Sequence, residues 1–527
     1  MTNTQPSIAQ LSLQDTTDTT PDKVVLKQMI KAGGWTNAAR SSTITALNAI
    51  VSSSFDLRFQ NGSTMTFNFT NSVYQGNFIN GYQPNGAYGT SKTSTFTFDG
   101  SYQGNSDASL KGYAWVGNIN IQAQDNQITF KNDANMKGNI TASHNSGSQS
   151  KTSLITFKDS ALEGDITALS SAVDLKLGGA HSNVLSIVFD GNSTTKGYAL
   201  KGADGEQNAT IRAVSGGLNI TFDNGAIAYA NTNLSYDQYS QTDIPTLNIT
   251  LKNKSVLNGN INNVKANFNK NPTQNVTLES GSLLKGNANN QLGILNLKSD
   301  NAKMIGNVNT LQAPIDSDTH TIITFTNSSL EGNIENNFIG KDHNGTYTNA
   351  TFDGNNTTDG YALKGDVTNP YGTMNLTFKN GAVWQGDYKT NDATTYDQNS
   401  TKNNLTFDKG SITGSITLFG GTGEIKASNH SSLGNISTQA GRNGVITKLS
   451  ITASDHSSLG NISGDALLTA SFSDSSVGDI QNSNANSTLT FATASDTAPT
   501  DKTGEVSSED KKITIGDITN FRGTITG

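Results

Sequence analysis

LITFKDSALEGDI, running from Leu154 to Ile166, decides the fold, because the same phrase returns as IITFTNSSLEGNI from Ile322. Its order is apolar-Thr-Phe, a polar turn, one or two apolar residues, Gly followed by Asn or Asp, then Ile. Looser copies are MTFNFTNSVYQGNF from Met65, VTLESGSLLKGNA from Val276, LTFKNGAVWQGDY from Leu376 and ASDHSSLGNIS from Ala453. Ile155, Thr156 and Phe157 alternate faces as a strand does, with Thr outward, where β-branching favours extended backbone. Asp159 and Ser160 turn the chain, Ala161 and Leu162 form a second short strand, and Gly164-Asp165 is a second turn in which glycine takes a positive φ. Ile166 starts a third side.

The glycine marks at Gly259, Gly286, Gly306 and Gly332 are 27, 20 and 26 residues apart by subtraction. Steps of that size suit one coil of a parallel β-helix, whose rungs stack about 4.8 Å apart. The expected fold is therefore all-β, a right-handed parallel β-helix. A transmembrane β-barrel also repeats strands and turns, but needs strands of about 10 residues with an apolar outer face. The strands here are shorter.

A longer repeat lies over the short one. FDGNSTTKGYALKG begins at Phe189 and FDGNNTTDGYALKG at Phe352, an offset of 352 − 189 = 163 residues, with a looser third copy in FDG at Phe98 and GYAWVG at Gly112. Blocks of rungs have been duplicated together. Residues 1–22 read as a flexible leader, and 23–52 as a short helical cap from the spacing of Val24, Leu26, Met29 and Ile30. Repeats fill 53–495, a polar linker or loop spans 496–512, and ITIGDITNFRGTITG over 513–527 is a final partial rung.

Composition agrees with a thin core and a large surface. Only 33% of residues are hydrophobic and 15% charged, while 52 are Gly. A net charge of −8 with no basic cluster argues against nucleic acid. The absence of cysteine rules out disulfides and thiolate metal sites. No apolar run reaches the roughly 20 residues of a membrane span. The first residues show no basic-then-apolar signal, so a signal peptide, if used, lies outside this chain or has been removed.

The phrases LITFKDSALEGDI, IITFTNSSLEGNI and LTFKNGAVWQGDY resemble the repeats of the vacuolating-cytotoxin-like autotransporter passengers of Gram-negative bacteria, over most of residues 55–495. The resemblance implies a secreted or cell-surface protein at the Gram-negative outer membrane, a right-handed parallel β-helix, and a role as an adhesin, colonisation or host-interaction factor. The family's C-terminal membrane β-barrel and the toxin's apolar G-x-x-x-G segment have no counterpart here. Membrane association would run only through that translocator. The implied partners are host cell-surface or matrix components, glycans among them.

Residues capable of chemistry recur with the repeats. His430 and His456 share one slot of neighbouring repeats, 456 − 430 = 26 residues apart, with Asp455 beside them and no third ligand evident. They read as a repeated loop residue, and no cofactor or metal is expected. The other histidines are His144, His181, His320 and His343. Asp99, Asp190 and Asp353 head Asp-Gly turns rather than a carboxylate pair for sugar cleavage. No G-x-S-x-G elbow is present.

The chain is accordingly read as a non-enzyme. A polysaccharide-degrading β-helix enzyme and a pore-forming subunit remain the alternatives. Phe67, Phe130, Phe157, Phe222, Phe325, Phe378 and Phe407 are expected to stack as core. Tyr74, Tyr102, Trp115, Tyr198, Tyr361 and Trp384 fall elsewhere in the repeat and are the candidate partner-binding residues, weighed against further core packing.

Overall fold

The computed structural model describes residues 10–14, 23–26, 41–53, 57–60, 64–82, 93–105, 107–121, 125–143, 152–169, 184–203, 206–214, 216–235, 244–263, 272–291, 293–311, 319–337, 347–390, 401–441, 444–492 and 513–527. The chain divides into two compact units, Met1–Gly286 and Asn287–Gly527. Each is a parallel β-helix, and among the described residues there is no α-helix.

The opening phrase builds a rung as its residues dictate. Thr152–Lys158, Leu162–Glu163 and Ile166–Leu169 are its three strands. They pair in parallel, in register, with Asn126–Lys131, Met136–Lys137 and Ile140–Ser143 of the rung before. In the second unit Thr319–Thr326, Ser329–Glu331 and Ile334–Asn337 repeat the plan. One strand of the first unit, Ile227–Leu234, runs straight through a corner and pairs with both Val256–Asn258 and Ile261–Asn263.

Alternation in the first strands sends Ile155 and Phe157 inward to full burial while Thr156 faces out. Phe98, Phe130, Phe157, Phe189 and Phe222 stack with centroids 4.8, 4.8, 5.0 and 5.1 Å apart, close to the rung spacing. In the second unit Phe352, Phe378 and Phe407 stack at 4.9 and 5.6 Å. Phe67 belongs elsewhere: Phe69 is in register with Phe98, and Phe67 packs on Phe96 at 4.8 Å.

Two corners explain the polar letters of the phrase. At the first, Asn71, Asn132, Asp159, Asn327 and Asn380 take left-handed backbone, which short polar side chains tolerate best after glycine. At the second, rungs approach too closely for any side chain. A Cβ on Gly117, Gly138 or Gly164 would lie 2.0, 2.0 and 2.1 Å from the carbonyl oxygen of the glycine one rung earlier. The following Asn or Asp receives the next rung's amide on its side chain: Asn139 N donates to Asn118 Oδ1 at 2.8 Å and Asp165 N to Asn139 Oδ1 at 2.8 Å. In the second unit Asn333 N donates to Asn307 Oδ1 at 2.8 Å and Asp366 N to Asn333 Oδ1 at 2.9 Å. Amides at a bend that no ladder reaches are thus satisfied.

Among the described residues of 23–52 the expected helical cap is replaced by strands. Lys23–Leu26 pairs in parallel with Ile50–Ser53, and Gln10–Gln14, within the stretch read as a leader, pairs with Ser41–Leu47. The reason lies in Thr43, Ile44, Thr45 and Ala46, where a period of two buries Ile44 and Ala46 and turns the threonines out. That pattern suits a strand and defeats the weaker helical spacing. Residues 27–40 and 493–512, the latter covering the expected linker, lie outside the described residues. Over 513–527 three strands, Thr514–Ile515, Ile518–Thr519 and Thr524–Thr526, pair with those of the preceding rung, so all three sides are present.

Candidate interaction surface

The duplicated FDG phrases recur in both long blocks, and their loops stand on the outside of the coil. In the first unit the strand Val184–Asp190 ends at Gly191, and the loop returns at Leu200–Lys201. It closes on itself: Gly197 N donates to Ser193 O at 2.8 Å and Ser193 N to Tyr198 O at 3.1 Å. In the second unit Gly360 N donates to Asn356 O at 2.9 Å and Asn356 N to Tyr361 O at 3.2 Å, the same closure 163 positions on. Each loop is tied to the next rung by one asparagine. Ile227 N donates to Asn192 Oδ1 at 2.6 Å, and Val383 N to Asn355 Oδ1 at 2.7 Å. The tips, Thr194, Thr195 and Gly197 in one and Thr357, Thr358 and Gly360 in the other, are exposed.

The first loop is anchored on Glu163. Its carboxylate accepts from Tyr113 Oη and Tyr198 Oη, both at 2.6 Å, and pairs with Lys196 Nζ at 2.8 Å. Lys196 also donates to Tyr113 Oη at 3.0 Å and lies 4.1 Å from that ring's centroid. Burial works to raise the Glu163 carboxyl, but Lys196 and the two tyrosines outweigh it and hold it below the usual range. Tyr198 is pushed well up by burial and by the Glu163 charge. A second anchor is Asp133, which accepts from Ser193 Oγ at 2.6 Å, from Thr194 Oγ1 and from Thr195 N at 3.2 Å. Those donors overcome burial and lower its carboxyl too.

The second loop uses the inverse charge. Asp359 stands where the first loop has Lys196, and it pairs with Lys303 Nζ at 3.2 Å. Lys303 also binds Glu331 at 3.0 Å, which accepts from Tyr361 Oη at 3.2 Å. Burial opposes the charge on Lys303, yet Glu331 and Asp359 raise it above the ordinary lysine range.

Of the six aromatic candidates, four are core. Tyr74, Tyr102, Trp115 and Trp384 are each at most 1% exposed. Tyr74 packs on Trp115 at 4.6 Å, Trp384 stacks on Phe378 at 5.2 Å, and Tyr102 joins Ile50, Val73 and Leu110. Both indoles give their N–H to a corner glycine carbonyl, Trp115 to Gly117 at 3.0 Å and Trp384 to Gly365 at 2.8 Å. These four present no face to a partner: the second strand of the rung points Tyr74, Trp115 and Trp384 inward, and Tyr102 is buried from the loop that follows Ser94–Asp99. Tyr198 is partly exposed; Tyr361 is 7% exposed and sits under its loop.

Glu163, Lys196 and Tyr113 were not singled out from the sequence. The available signal was Gly112-Tyr113-Ala114, which repeats Gly197-Tyr198-Ala199. The FDG aspartates act as clasps between rungs: Asp99 pairs with Lys131 at 2.9 Å and Asp353 with Lys379 at 3.0 Å. His320 stacks on Tyr347 at 4.0 Å, while His144, His181 and His343 lie outside the described residues. No helix among the described residues is long and apolar enough to cross a membrane. No protein-family model, curated protein or solved structure matches this chain.

Proposed function

We propose that this chain is an extracellular or cell-surface passenger that acts by contact, as an adhesin or host-interaction factor, through the loops 191–201 and 354–364. The observation that carries the reading is the loop built twice with one backbone closure, pinned at its base and exposed at its threonine tips. Binding residues concentrate on loops held by a rigid scaffold, and pinning lowers the ordering entropy lost on association. The partners this suits are host cell-surface or matrix components and glycans. The exposed threonines of the first loop, whose hydroxyl protons go to Asp133, keep acceptor lone pairs for a polyol or a polar protein surface, and Thr357 and Thr358 of the second loop are exposed beside a backbone turn.

Purified full-length chain is expected to bind cultured epithelial cells, matrix proteins or a glycan array. A variant with residues 193–198 and 356–361 replaced by Gly and Ser should bind at least tenfold less with an unchanged thermal transition. Equal binding by the two proteins, or none by either, would overturn the proposal.

A further inference from the structure

Among the described residues no three His, Cys, Asp or Glu side chains gather to hold a metal ion. Two imidazoles, however, are brought together at the first corner of successive rungs in the second unit. His430 and His456 have ring centroids 4.9 Å apart at an interplanar angle of 49°, and both are exposed.

Their backbone is unusual for the residue type. Each occupies the second place of a two-residue left-handed turn, after Asn429 and Asp455, with φ of 63° and 61°. The same place holds Gly381 earlier in this unit, at φ 84° with nothing within 4 Å of its Cβ position. Glycine adopts this backbone without steric strain and histidine does not. In the first unit the same place holds Asp133 and Lys254, at φ of 62° and 64°, so the turn accepts a side chain and sets both rings on the outside of the coil.

A carboxylate supplies the second observation. Asp474, one rung further on, is buried, and its Oδ1 accepts no hydrogen bond. That oxygen faces His456 Nδ1 at 3.3 Å. An unsatisfied carboxylate oxygen beside one ring nitrogen is placed to take that nitrogen's N–H when the ring turns toward it, which would leave the other nitrogen's lone pair free, the arrangement that supports metal-bound histidine.

The surrounding charges favour a cation. Asp455 adjoins His456 and receives Ser454 Oγ at 2.8 Å; Asp408 is bonded by Asn429 Nδ2, and Lys409 is the one positive side chain on the neighbouring turn.

We propose that His430 and His456 chelate one first-row divalent transition ion, with Asp474 positioning His456 and water completing the coordination. Two neutral imidazoles suit Cu2+, Ni2+ and Zn2+ rather than Ca2+ or Mg2+, and among these Cu2+ is held most tightly. A pair of ligands on a metal with bonds of about 2.0–2.1 Å needs nitrogens roughly 3 Å apart. The ring centroids are 4.9 Å apart, and chelation requires a side-chain rotation that brings one nitrogen of each ring to that separation.

The test is calorimetric and spectroscopic titration of full-length chain with CuCl2 in a buffer that does not chelate. Wild type should bind one ion through two nitrogens, and His430→Asn or His456→Asn should weaken this site at least 30-fold. Asparagine tolerates the left-handed turn, so unchanged thermal unfolding of the metal-free variants serves as the control for folding. Asp474→Asn should weaken it about tenfold. On wild type alone, CuCl2 should protect His430 and His456 from carbethoxylation, read by mass spectrometry. Absence of that protection, or variants that bind Cu2+ as wild type does, would overturn the proposal.

Discussion

Replacing Glu163 by Gln isolates what holds the first loop to its coil. Glutamine keeps the shape, retains one acceptor oxygen and removes the charge. Three partners feel the change: Tyr113 and Tyr198 at 2.6 Å and Lys196 at 2.8 Å. Hydrogen bonds to a charged group contribute about 1.5–3 kcal/mol each, against about 1 kcal/mol for neutral ones. The Glu163 side chain is 14% exposed and that of Lys196 21%, so solvent replaces little of what is lost. Weakening two bonds by about 1 kcal/mol each and losing the ion pair gives roughly 3 kcal/mol.

Solenoid stability is summed rung by rung, so this cost falls locally on loop opening. Native-state hydrogen exchange reads it at Gly197 N, bonded to Ser193 O, and at Gly164 N, bonded to Lys201 O. About 3 kcal/mol corresponds to exchange faster by roughly 100-fold. Gly365 N, bonded to Gln385 O in the second unit, should be unaffected. Lys196→Met should add little on top of Glu163→Gln, since the two share one interaction. A change below threefold at both amides, or an equal change at Gly365, would refute the anchoring role.

Other outcomes follow from the same geometry. Gly138→Ala places a Cβ 2.0 Å from the Gly117 carbonyl oxygen at φ 136°, and should cost at least about 3 kcal/mol in urea denaturation. Gly225→Ala, at φ 75° with open space around it, should cost only about 1–2 kcal/mol. Phe157→Ala removes a fully buried ring from between Phe130 and Phe189 and should lose about 3–5 kcal/mol in the same assay. Glu163 and Asp133 are both depressed in the folded state, so their contribution is complete above about pH 4, where unfolded carboxyls ionise. It is lost as pH falls through the lower folded values. Cleavage of the first loop by an acid protease should therefore rise below about pH 4, and Glu163→Gln should shrink that step; a flat profile in wild type would contradict it.

Repetition made the coil legible in advance. Ile155, Phe157, Leu162, Gly164 and Ile166 each recur at a fixed place in the phrase, and each takes the position that recurrence assigns. At the N-terminus Val24, Leu26, Met29 and Ile30 fit a helical period over too short a window, and the two-residue alternation at Thr43–Ala46 is the pattern that prevails. The aromatic candidates failed for a different reason. Tyr74, Trp115 and Trp384 sit on second strands of only two or three residues. Alternation over so few positions does not reveal which side chain points inward. The loop anchors were hidden because Glu163 meets Tyr113 and Tyr198 at separations of 50 and 35 residues, across rungs whose lengths differ.

At the second corner rung after rung among the described residues offers the next the same two things, a bare glycine carbonyl and an amide or carboxylate oxygen ready for one N–H; the rung of Ile227–Leu234 departs from this, with Ala230 in the glycine's place. A newly inserted block of whole rungs meets, above and below, the partners its neighbours already had. Recombination between out-of-step copies of such a gene therefore leaves no mismatched joint, provided it cuts at matching places in the phrase. The 163-residue offset between Phe189 and Phe352 is the scar such an event would leave. Lineages carrying this coil can vary its length, and the number of loops displayed along it, without having to evolve a new core each time.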